Sequence, residues 1–291
     1  MSYQKIYKSQ GEQLLLQLFL RGKRIFTISD AEKTAMLEKI PRDQLNKILF
    51  NLSKQGKILR LRRGLYVAIG ILPNQINTHP FVISAFLVQP SMISHWSALQ
   101  HHGLTEQISP IITASTTHKI ITPSMREKQS SQKITKHGFN INDTRYEYIN
   151  IQEKNYFGYE KIWLDENFHV NITDKERTLL DLFIYPKMFG GIGEALGILE
   201  NSITTVDIQK LVKYAIRYSK KSIAKRVGWA LENLYVEKKL LLPLLEIPIH
   251  HYCRIDSSKA ATGPCDKRWM IQNNLTNETK QLVEKILVRQ L

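Results

Sequence analysis

The side chains best suited by type and spacing to do chemistry lie in one stretch of about twenty residues. Arg42, Asn46, Lys47 and Lys54 fall on a segment with helical spacing. Arg60, Arg62 and Arg63 follow closely and are closed off by Gly64. Guanidinium and ammonium groups bind phosphate oxygens, and amide or guanidinium groups make paired hydrogen bonds to base edges. This chemistry is recognition of a duplex rather than bond making. Arg42, Asn46 and Lys47 suit base edges or phosphates. Lys54 lies on the same outward face. Arg60, Arg62 and Arg63 suit phosphates or a narrow minor groove, where the negative potential is enhanced. Phe50 also points outward, and it is expected to pack under the hairpin, with contact to a thymine methyl as the alternative.

The other reactive residues carry weaker signals. His101 and His102 are adjacent, with His95 upstream. Neighbours on a helix diverge by about 100°, so the pair cannot share one metal. His95 and His102 are seven apart and could share a face, but no ligand set completes around them, and structural or surface roles are expected. Asp165, Glu166, Asp174, Lys175 and Glu176 offer the groups of a metal nuclease. They fall in a turn and at a helix start, where carboxylates satisfy amides and the helix dipole. Lys220, Lys221, Lys225 and Arg226 form a second basic cluster on a helix, read as a solvated face or as a site for phosphates or an acidic partner. Cys253 and Cys265 are the only cysteines, too few for a disulfide scaffold or a four-ligand zinc site. No metal or cofactor is expected, and the chain is read as not an enzyme.

Positioning the first cluster requires a helix, a stop and a hairpin. Gln10 to Leu20 has helical apolar spacing. Ser29 with Glu32 three residues on reads as a capping box opening a second helix to about Leu37. Pro41 suits the first position of a third helix. There Leu45, Ile48, Leu49 and Leu52 make one apolar stripe, with Asp43, Asn46, Lys47, Phe50 and Lys54 opposite. Gly56 ends that helix. Lys57–Leu61 and Leu65–Ala68 then read as two strands around an Arg62-Arg63-Gly64 tip. This order of parts is the second half of a winged helix-turn-helix.

Gly70 to His79 reads as a linker. Beyond it, helices are expected over Phe81–Val88 and Ser94–His101, and strands at Ile111–Thr116, Tyr146–Ile151, Lys161–Leu164 and Phe168–Ile172. A loop is expected over residues 117–137. Thr173 with Glu176 reads as a further capping box, Gly190-Gly191 as a separator, and Asp207 as a helix cap. A helix is expected over Lys220–Tyr235, strand and loop after Pro243, and a short amphipathic helix from about Asn277.

The chain of 291 residues carries a net charge of +15. Residues 1–75 hold fourteen Lys or Arg against five Asp or Glu, a surplus of nine, so most of the charge sits where the winged-helix pattern does. Such a balance favours a polyanionic partner. No apolar run approaches the ~20 residues that span a bilayer, and no secretory leader is evident. A cytoplasmic location without membrane contact is expected.

Three segments carry a family resemblance. Lys57-Ile58-Leu59-Arg60-Leu61-Arg62-Arg63-Gly64-Leu65-Tyr66 resembles the wing of the AbiEi-type antitoxin and transcriptional regulator family of type IV toxin–antitoxin systems. The run from Ser91 to Gln107 and the run from Asn171 to Asp181, followed by Gly190-Gly191-Ile192, are similar to further family segments. The resemblance implies a repressor that binds inverted repeats in double-stranded DNA at its own operon. It also implies a C-terminal domain that counters a co-encoded nucleotidyltransferase-like toxin. Residues from Leu245 onward match the family pattern poorly.

The expected fold class is α+β: a winged helix-turn-helix over residues 1–75, then a larger mixed α/β antitoxin domain over 80–291. Two alternatives stand beside the repressor reading: a winged helix fused to a nuclease-like domain, and a stand-alone transcriptional regulator.

Overall fold

The computed structural model describes residues 9–69, 78–120 and 138–275. Most of the Gly70–His79 linker, most of the 117–137 loop and the helix expected from Asn277 lie outside the described residues. The chain divides into two compact units. The first comprises residues 1–90 with 140–144 and 162–170; the second comprises 91–139, 145–161 and 171–291.

The first unit opens with helix α1 (Gln10–Leu20), strand β1 (Ile25–Thr27), helix α2 (Ile28–Leu37) and helix α3 (Arg42–Lys54). Strands β2 (Ile58–Arg62) and β3 (Leu65–Ala68) and helix α4 (Pro80–Leu87) follow. The strands form an antiparallel sheet in the order β1-β3-β2. Leu14, Leu18, Phe26, Ala35, Leu45, Leu49, Leu52 and Ile58 share one core. A Cβ on Gly11 would meet Leu52 at 3.0 Å, so the glycine lets α1 come close to α3. Three helices and a three-stranded sheet around one core make a winged helix-turn-helix.

Two local expectations need correction here. The capping residue of α2 is Thr27, not Ser29. The Thr27 hydroxyl accepts from the Asp30 amide at 3.1 Å, and the Asp30 carboxylate accepts from the Thr27 amide at 2.9 Å. Pairing of Thr27 with Leu65 holds residue 27 extended, which fixes the start of the helix two residues early. Pro41 is likewise the extended residue before α3, not its first helical residue.

The next elements, most of whose residues fall in the second unit, are β4 (Ser91–Ile93), α5 (His95–His101), β5 (Ile111–Thr116) and β7 (Thr144–Asn150), with β6 (Gly138–Ile141), β8 (Tyr159–Trp163) and β9 (His169–Thr173) completing the sheet. The sheet order is β6-β7-β5-β4-β9-β8. Strand β5 runs antiparallel to β4 and parallel to β7, and β4 runs parallel to β9. Helices α6 (Lys175–Ile184), α7 (Ile192–Ser202), α8 (Ile208–Arg217), α9 (Lys221–Asn233) and α10 (Lys238–Leu245) supply a large helical core. Short strands β10 (Cys253–Arg254), β11 (Cys265–Asp266) and β12 (Ile271–Gln272) pack beside it. Trp269 is fully buried on Gly228, where a Cβ would lie only 2.1 Å from the indole.

Here too the structure revises details. Asp174, not Thr173, caps α6 by accepting from the Arg177 amide at 2.8 Å. Helix α10 contains Pro243 and ends two residues beyond it, and short strands and loops follow as expected. Strands β4 and β6, absent from the sequence reading, complete the sheet. Asp207 caps α8 as expected, accepting from the Lys210 amide at 3.1 Å.

Candidate nucleic-acid interface

Helix α3 is fixed at its C-terminal end and along one side. Leu45, Leu49 and Leu52 are buried and Ile48 is half-buried, so the apolar stripe faces inward. At the C-terminus the Lys57 amide donates to the Leu52 carbonyl at 2.9 Å and the Gly56 amide to the Ser53 carbonyl at 3.0 Å. Gly56 has φ +68, the left-handed value this motif needs. Arg42, Asn46, Lys47 and Lys54 are all exposed. So is Phe50, at 67%. It does not pack under the wing, because at 100° per residue it lies about 160° around the helix from Leu52.

The wing is tighter than the sequence reading allowed. Arg62 pairs with Leu65, so strand β2 runs one residue further and the turn is Arg63-Gly64 alone. A bulge between Arg60 and Arg62 leaves Leu61 as the extra residue, and its side chain is buried. Bulges bend and twist a strand locally. Arg60, Arg62 and Arg63 are exposed. Gly64 has φ +74, and its carbonyl accepts from the Ile28 amide at 2.9 Å.

Ion pairing separates the cations into two groups. Lys23 pairs with Asp30 at 3.3 Å, Arg24 with Asp165 at 3.4 Å and Lys57 with Glu12 at 2.7 Å. Arg42 touches Glu32 at 3.4 Å, but its side chain is 88% exposed. Among the described residues, Lys47, Lys54, Arg60, Arg62 and Arg63 form no ion pair. Thus the cations on the outward face of α3 and on the wing keep their charge for an external anion. Burial acts to raise the Asp30 carboxyl, but its Thr27 hydrogen bonds and Lys23 outweigh that and hold it below the usual carboxylate range.

The remaining constellations are tied into the fold. Asp165 accepts from the Asn167 and Phe168 amides at 2.8 and 2.9 Å. Asp174 accepts from the Tyr214 hydroxyl at 2.7 Å and lies 3.2 Å from Lys210. Glu176 accepts from the Asp207 amide at 3.0 Å and meets Lys210 at 2.8 Å. Burial acts to raise Glu176, but Lys210 and the Asp207 amide hold it lower. His102 bonds the Thr173 carbonyl at 2.6 Å. His95 is fully buried with φ +57, its Nδ1 2.7 Å from the Ser94 hydroxyl and its Nε2 unpaired. Burial lowers its pKa; Asp181 opposes this and Arg177 adds to it. Arg177 is also fully buried, pairing with Asp181 at 3.0 Å and donating to the Asn155 carbonyl at 2.7 Å. Among the described residues no group of three His, Cys, Asp or Glu could hold a metal ion.

The second basic cluster divides, against the sequence reading. Lys225 is buried and donates to the Leu245 carbonyl at 2.7 Å; Arg226 donates to the Arg254 carbonyl at 2.8 Å. Only Lys220 and Lys221 remain on the surface. Among the described residues no helix is long and apolar enough to cross a membrane.

Comparison with curated proteins finds no match. The RV2827C protein from Mycobacterium tuberculosis has a similar structure, with TM-score 0.63 and 12% identity over 95% of each chain. At that identity the likeness shows a shared fold. The segments around Ser91–Gln107 and Asn171–Asp181 lie outside the family match. That match, to the family described as transcriptional regulator, AbiEi antitoxin, covers residues 13–69, the stretch that holds the helix-turn-helix and the wing, so this part of the chain is similar to that family.

Proposed function

We propose that the chain is a DNA-binding repressor and the antitoxin of a type IV toxin–antitoxin pair, with no catalytic activity of its own. The observation that carries this is the set of exposed cations on α3 and the wing that form no ion pair among the described residues. Arg42, Asn46 and Lys47 enter the major groove, Lys54 holds a flanking phosphate, and Arg60, Arg62 and Arg63 hold the backbone or minor groove beside it. Residues 1–75 then form the reading module, and residues 80–291 the part that counters a nucleotidyltransferase-like toxin. The operator is an inverted repeat upstream of the chain's own reading frame, which makes the repressor self-limiting, and the protein acts in the cytoplasm.

A mobility-shift titration on the duplex upstream of the reading frame tests the proposal. Binding that survives excess random-sequence competitor supports it; equal competition by any duplex removes the repressor reading. Co-expression with the product of the neighbouring frame tests the antitoxin half, with rescue of growth as the expected result.

A further inference from the structure

Phe50 stands apart from the other apolar residues of α3. Leu45, Leu49 and Leu52 belong to the core and Ile48 packs against it, whereas Phe50 is exposed at 67%. Helical geometry puts it within about 20° of Asp43, about 40° of Asn46 and Lys54, and about 60° of Lys47. It therefore sits in the middle of the polar face, flanked at i−4, i−3 and i+4 by an amide and two cations. A single exposed apolar side chain is unremarkable in general. This one occupies the centre of a surface whose other members are donors and acceptors suited to base edges. The apolar group that base pairs present in the major groove is the C5-methyl of thymine.

We infer that Phe50 is a specificity-determining residue that packs on a thymine methyl, next to the base pair read by Asn46. The inference rests on the proposed DNA reading and adds the identity of a base. Covering one methyl is worth about a fourfold change in affinity, and two neighbouring methyls about fifteenfold.

The test uses the full chain and a duplex selected from a randomised pool. Each thymine of the selected site is replaced in turn by deoxyuridine, which removes only the methyl, and affinity is read by fluorescence anisotropy. The expected result is one or two positions per half-site where the wild-type protein weakens about fourfold. Phe50→Ala then binds the thymine and deoxyuridine duplexes equally at those positions, and Phe50→Leu keeps part of the discrimination. The exposure of Phe50 means that both variants should fold, which a thermal melt checks. Wild-type protein indifferent to every missing methyl overturns the inference while leaving duplex binding intact. So does a Phe50→Ala protein that still discriminates, or one that weakens equally on both duplexes without any methyl-sensitive position in the wild type. Failure to bind any selected duplex overturns the DNA reading, and this inference with it.

Discussion

Replacing Arg62 and Arg63 together by Ala tests the wing most directly. Both side chains are exposed and neither forms an ion pair among the described residues, so the fold does not depend on their charge. Surface changes of this kind shift stability by no more than about 0.5 kcal/mol. If each arginine neutralises one phosphate, each contributes about 0.9 to the slope of log K against log salt. Losing both flattens the slope by about 1.8. Between 50 and 200 mM salt the wild-type protein should then lose about 12-fold more affinity than the variant. Anisotropy titrations of one duplex at four KCl concentrations measure this, with Arg42→Ala as a comparison because Arg42 already touches Glu32. A variant that binds more weakly with an unchanged slope would mean that the arginines act through wing geometry, and the phosphate assignment would fall.

Two further outcomes follow from the geometry. Lys39, two residues past the end of α2, has φ +54, with the Ile40 amide donating to the Ala35 carbonyl at 2.9 Å, so Lys39→Gly should relieve left-handed strain and raise stability by about 0.5–1 kcal/mol in urea titrations. Lys39→Ala should give no such gain. Buried His95 is held neutral, its pKa below the ordinary 6.5, so unfolding takes up a proton and stability falls as pH drops below about 6.5, by at most about 1.4 kcal/mol per pH unit. Thermal melts between pH 7.5 and 5 should show the loss, and His95→Asn, whose side chain tolerates the left-handed backbone, should show less of it.

The parts of the fold readable from sequence were those set by local rules. The Leu45, Leu49 and Leu52 stripe, the Gly56 stop and the span Gln10–Leu20 all follow from helical period and backbone freedom. Caps were less legible. Ser29-x-x-Glu32 and Thr27-x-x-Asp30 satisfy the same pattern, and the choice between them is made by the partner strand at Leu65, 38 residues downstream of Thr27. Strand β4, only three residues long, leaves no periodic trace and exists through its neighbours β5 and β9. The burial of Lys225 could not be read locally either, since its partners, the Leu245 carbonyl and the Trp269 ring, lie 20 and 44 residues away. Phe50 departs from its expected packing for a different reason: its angle on the helix, about 160° from Leu52, turns it away from the core.

The bond from the Ile28 amide to the Gly64 carbonyl ties the first residue of α2 to the hairpin tip. One of the donors that a helix start leaves vacant is thus filled by the wing itself. The tip is consequently anchored before any duplex arrives. The spacing between the outward face of α3 and the wing is set in the free protein, and under the proposed reading docking need not order a floppy arm. Such a reader meets its target as a rigid template. It should tolerate base changes more readily than changes in groove spacing, so one inserted base pair between the two contact regions should harm binding more than most substitutions.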